Sequence, residues 1–125
     1  MQTKEIQQDE WRAFFDNFSR THQGAVVDLE IIGPDIGAQT EEKGLTLIGI
    51  TAESDERLGN TIIIMVGANA NGHITHSIRF TKRVSIGQTD DGADFALAIY
   101  GADGSTALLR LQLAELPEEV DAVAS

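Results

Sequence analysis

The sequence predicts an α+β fold: an N-terminal amphipathic helix packed on a strongly curved antiparallel sheet, or a small β-barrel, of about six strands. Three observations carry this. Trp11, Phe14, Phe15 and Phe18 recur at the spacing that stacks side chains on one face of a helix. From Val27 onward the apolar period falls to about two, the period of a strand with one dry face. The strand-like segments are separated by short runs of Gly, Asn and Asp, with no second helical pattern long enough to cross between parallel strands.

The helix is expected over 8–22. Asp9 and Glu10 lie in its first turn, Arg20 and His22 in its last, and Gly24 follows as a stop, each in the sense the helix dipole and C-cap geometry favour. Strands are expected near 25–32, 45–52, 61–67, 73–79, 83–88, 94–100 and 105–113, with 73–88 readable as one long bent strand. Val27, Leu29 and Ile31 alternate with Asp28 and Glu30, and Gly33-Pro34-Asp35 ends that strand. A polar connection over 36–44 has room for a short strand or turn. Thr61 to Val66 is apolar on both faces, as for a central or interface strand. Asn69-Ala70-Asn71-Gly72, Thr89-Asp90-Asp91-Gly92 and Asp103-Gly104 read as turns, the last a hairpin signal. The expected core comprises Trp11, Phe14, Phe15, Phe18, Leu29, Ile31, Ile63, Met65, Ile78, Leu97, Ile99, Leu109 and Leu111. One domain over 1–114 is therefore expected, with 115–125 an acidic, disordered tail.

Composition narrows the function. The 125 residues carry 20 acidic against 9 basic side chains, a formal charge of −11, which repels phosphate backbones and anionic membranes. Neither nucleic acid nor a membrane is an expected partner. No cysteine is present, which removes disulfides and thiolate chemistry. The longest apolar run, Ile62 to Ala68, is far short of the roughly 20 residues of a membrane-spanning helix. The N-terminus lacks the basic and apolar stretches of a secretory signal, so a cytoplasmic location is expected.

Candidate chemistry is sparse. His73 and His76 are three apart, which on a strand places them on opposite faces and not around one ion. Asp28 and Glu30 share a strand face and could form a carboxylate pair, but that face is expected to be solvated. The Asp90-Asp91-Gly92-Ala93-Asp94 loop lacks the spacing and closing glutamate of a calcium loop. Gly101-Ala102-Asp103-Gly104 precedes a strand, not the helix a phosphate loop needs, and Ser77 and Ser105 have no local triad context. No catalytic, cofactor or metal residues are assigned. Arg79, Lys82 and Arg83 form the only basic cluster, a candidate docking patch for an acidic protein partner or anion.

Taken together, Glu10-Trp11, Phe14, Phe18-Ser19, His22 and Gly24, then Gly33-Pro34 with Gly37-Ala38-Gln39, then Gly92-Ala93-Asp94, Leu97 and Gly104 through Leu108-Leu109-Arg110 resemble an uncharacterised bacterial family catalogued as a domain of unknown function. The resemblance covers Trp11 to Arg110 and implies a bacterial, free-standing single domain; it supplies no catalytic residues.

The expected function is a small, non-catalytic interaction module, with a small-molecule-binding or enzymatic barrel as the alternative. A core without a polar-lined pocket favours the first, and a cleft of a few hundred cubic ångströms lined by His76, Tyr100 or Arg79 favours the second. A homodimer is also expected, through a sheet edge or the outer face of the apolar strand. In a barrel, Ile63 and Met65 would fill the interior, leaving Ile62, Ile64 and Val66 outside.

Overall fold

The computed structural model describes residues 2–33, 39–57, 59–67 and 72–112. The expected turns at Pro34-Asp35 and Asn69-Ala70-Asn71, the Gly37-Ala38 motif and the acidic segment 115–125 lie outside them. Strand β1 (Gln2–Ile6) is followed by one 3-10 turn (Gln8–Glu10) and helix α1 (Trp11–His22). Then come β2 (Val26–Ile32), β3 (Gln39–Asp55), β4 (Gly59–Gly67), β5 (His73–Ile78), β6 (Thr81–Gln88), β7 (Asp94–Gly101) and β8 (Thr106–Leu111).

All eight strands form one sheet of order β1-β6-β7-β8-β2-β3-β4-β5. Every pairing is antiparallel. The α+β class stands, but the sheet has eight strands rather than about six, and it is open, not closed. Its curvature is strong: β4 approaches β6 and β5 approaches β7, although several strands separate them in the sheet order. Among the described residues the two edge strands are β1 and β5.

The aromatic stripe docks α1 into the concave face. Trp11, Phe15 and Phe18 are buried, and Phe14 packs partly buried against the same core. Each buried large side chain contributes about 1.5–3 kcal/mol. Beyond Thr46, β3 no longer pairs with β2, and α1 takes the vacated side. Ser19 satisfies the exposed ladder there, its Oγ accepting from Ile50 N–H at 2.8 Å and donating to Ile50 C=O at 2.9 Å. At the helix end Gly24 N–H donates to Leu47 C=O, and Leu47 N–H to Ala25 C=O. At its start, buried Trp11 Nε1–H donates to Ile6 C=O at 2.9 Å, tying β1 to the helix.

Two expectations are corrected. Ile62, Ile64 and Val66 are fully buried, whereas Ile63 and Met65 are only half-buried, so β4 faces the opposite way to the predicted arrangement. The register explains it. Ile64 lies opposite Ile50 on β3 and His76 on β5, which places it on the face that carries Val84, Ile99 and Leu109 in the shared core. The side chains proposed as a dimer face are therefore interior. Second, the polar connection before Leu45 is the first part of the 17-residue β3, pairing with β2 from Gln39 onward. Residues 73–88 form the two expected strands rather than one long bent one, and the two do not pair with each other. They part at Arg79-Phe80, where Phe80 takes a positive φ of 50° and is 51% exposed rather than sharing the inward face of Ile78. Ile31, expected in the core, is partly buried against it.

Candidate functional site

The corner where β5 passes to β6 holds the basic cluster, and the β7–β8 hairpin stands opposite it. That hairpin forms as Asp103-Gly104 predicts: Gly101 N–H donates to Ser105 C=O, Asp103 Oδ1 accepts from Ser105 N–H at 2.8 Å, and Gly104 has φ 92°. The Ser105 N–H holds the Asp103 carboxyl below its ordinary value, so this wall is anionic.

Between the walls lies a cleft of about 620 Å³. It is lined by Ile31 at the end of β2, by His76, Ser77, Ile78, Arg79 and Phe80 of the β5 corner, and by Ala102, Asp103 and Ser105 of the hairpin. This size falls within the range of ligand sites. Phe80 is fixed by Ala102 N–H donating to its carbonyl at 3.0 Å, and its ring lies so close over Gly59 that a Cβ there would sit 2.8 Å from Phe80 Cδ1. A non-glycine residue in the left-handed region carries backbone strain, and here that strain aims an exposed aromatic at the cleft. His76 points inward from β5. Its Nε2 is buried, has no hydrogen-bond partner among the described residues and lies 3.9 Å from Glu42 Oε2.

A second cleft of about 320 Å³ adjoins the first, sharing Ser105, and is lined by Lys82, Arg83, Tyr100, Gly101, Gly104 and Thr106. Arg83 stacks over the Tyr100 ring, its guanidinium carbon 4.4 Å from the centroid. Stacking of this kind holds the planar cation in a defined orientation. The structure distributes Arg79, Lys82 and Arg83 over two contiguous clefts at one corner.

The other candidate residues are committed elsewhere. Asp28 Oδ1 accepts from Gly44 N–H and Gln112 Nε2, both at 3.0 Å. Glu30 is only 8% exposed and pairs with Arg110 at 3.2 Å, so this strand face is not simply solvated. In the 89–94 loop Thr89 Oγ donates to Asp91 and accepts from Ala93 N–H, closing a turn. Asp94 accepts from His22 Nε2 at 3.0 Å and from Gln88 Nε2 at 2.9 Å, clamping the end of α1 to the β6–β7 hairpin. No local pattern signals this His22–Asp94 pair, whose members lie 72 residues apart. Among the described residues no group of three or more His, Asp or Glu is gathered as a metal site. Nor is any helix there long and apolar enough to cross a membrane.

A model described as a family of unknown function, DUF5335, matches residues 2–120. The chain belongs to this family. The resemblance seen in the Trp11 to Arg110 motifs is therefore that of membership, and the match extends over β1 as well. An uncharacterized protein of Aquifex aeolicus (strain VF5) is 25% identical over 119 residues, which are 94% of this chain and 100% of that relative. No solved structure matches.

Proposed function

We propose that this protein is a small acidic, non-catalytic interaction module of the bacterial cytosol that docks a carboxylate-bearing partner at the Arg79, Lys82 and Arg83 corner. The observation that carries the reading is the sharing of that corner by two contiguous clefts, with Arg83 oriented by Tyr100 and Arg79 beside exposed Phe80. Aromatic and arginine side chains together are the composition of interface hot spots. The net charge of −11 weakens the long-range approach of an acidic partner, so recognition rests on contacts at the corner itself, within the screening length of about 8 Å. The engagement of Asp28, Glu30, His22 and Asp94 in structural pairs supports a binding role over acid-base catalysis.

The clefts lined by His76, Arg79 and Tyr100 also meet the condition set above for a small-molecule site, and they favour a second reading, a small anionic metabolite in the same place. Thermal-shift measurements with phosphate and small dicarboxylates, beside a short polyglutamate, separate the two. The docking reading predicts stabilisation by polyglutamate that is lost in the Arg79→Ala, Lys82→Ala, Arg83→Ala triple variant. Stabilisation by a small anion alone would transfer the site to the metabolite reading. With Ile62, Ile64 and Val66 buried, a homodimer would form through a sheet edge, which light scattering reads directly.

A further inference from the structure

The larger cleft lies along the outer edge of β5. Consecutive residues of a strand point to opposite faces, so a cleft that touched only one face would meet every second residue. This one is lined by His76, Ser77, Ile78 and Arg79 in succession. It therefore straddles the strand. On its other side β5 pairs with β4 throughout, from His73 to Ile78, and among the described residues it has no second strand neighbour, only the Ile78 carbonyl being engaged, by Thr81 Oγ1 at 2.8 Å. Edge strands leave alternate N–H and C=O groups unpaired, and natural proteins blunt them with charge, proline or bulges. The β5 sequence, His73-Ile74-Thr75-His76-Ser77-Ile78, has no proline, lysine or acidic residue, and its pairing shows no register shift. The opposite edge, β1, carries exposed Lys4 and Glu5.

We infer that the cleft receives an extended acidic segment of a partner protein as an added strand on the β5 edge, its carboxylates against Arg79 and its alternate aliphatic side chains against Ile31 and Ile78. This rests on the reading of the basic corner as a docking site. The period-two character follows from the two sides of the strand. Inward, the cleft offers Ile31 and Ile78; outward, Arg79 follows Ser77 at strand spacing, with Lys82 and Arg83 beyond it. The anionic Asp103 on the far wall disfavours a carboxylate there and so helps set which side of the segment faces Arg79. Main-chain hydrogen bonds would supply affinity and the alternate side chains specificity, as in other strand-addition complexes.

The test uses the full chain and three probes: a short blocked peptide of alternating Glu and Val, its N-methylated analogue, and a polyglutamate of equal charge. Methylation keeps the side chains and removes the backbone donors. The readouts are affinity from two-dimensional amide NMR titration and hydrogen exchange of the β5 amides. The alternating peptide is expected to bind at least about ten-fold more tightly than either control. It should slow exchange at the β5 amides and lose binding in Arg79→Glu, a substitution at an exposed position. Equal binding of the alternating and methylated peptides would overturn strand addition while leaving the docking corner in place. Absence of any shift at residues 79, 82 and 83 with all three probes would overturn both, and self-pairing of the chain through β5 would overturn the partner segment.

Discussion

The shape of the cleft depends on Phe80 resting over Gly59, and Gly59→Ala perturbs that contact directly. Two costs follow from the geometry. Gly59 has φ 63°, a conformation that costs an L residue about 1–2 kcal/mol. The new Cβ would also lie 2.8 Å from Cδ1 and 3.3 Å from Cε1 of the Phe80 ring, so the ring must leave its rotamer, at about 0.5–1.5 kcal/mol. The single variant should therefore lose roughly 1.5–3.5 kcal/mol. In a Phe80→Ala background the second cost disappears, leaving about 1–2 kcal/mol. Urea denaturation of the wild type, both single variants and the double variant measures the coupling as shifts in midpoint at constant slope. Equal effects of Gly59→Ala in the two backgrounds would show that the ring does not rest on Gly59, and the aromatic end of the cleft would have to be redrawn.

Further expectations concern the strand facing and the hairpin wall. Ile64→Ala should cost about 2–5 kcal/mol, the range for a fully buried aliphatic, and Ile63→Ala clearly less; the reverse order in denaturation would restore the predicted facing of β4. Asp103 should titrate below 3.8 when its carboxyl carbon is followed by NMR, because the Ser105 N–H favours the charged form. Since the folded value is depressed, the contribution of that hydrogen bond is present above the unfolded value and is lost as pH falls through the folded one. A midpoint at or above 3.8 would mean that the hairpin bond is absent in solution.

The helix was legible because four aromatics at 11, 14, 15 and 18 admit one face only, and the hairpin because Asp103-Gly104 separates two alternating strands. Strand β1 was not. Gln2-Thr3-Lys4-Glu5-Ile6 has one buried residue, and it is held by pairing to β6 and by the Trp11 indole, both distant in sequence. The facing of β4 was unreadable for the opposite reason: with Ile62 to Val66 apolar throughout, parity carries no information, and cross-strand register decides. Phe80 sits at the parity of Ile78, but its positive φ turns the chain before that parity applies. At the site, the basic cluster was visible because Arg79, Lys82 and Arg83 are local. Ile31, Asp103 and Ser105 reach the cleft from β2 and the β7–β8 hairpin, so only the sheet order brings them there.

The central claim is that this corner is where the protein meets its partner, and the most direct measurement is a two-dimensional amide NMR titration of the intact chain with the alternating Glu and Val peptide at physiological ionic strength. The account predicts shifts concentrated at residues 76–83, 100 and 103–106, abolished by reversing Arg79, Lys82 and Arg83 to glutamate. Shifts centred elsewhere, for example along β1 or over α1, or shifts that survive the charge reversal, would contradict it.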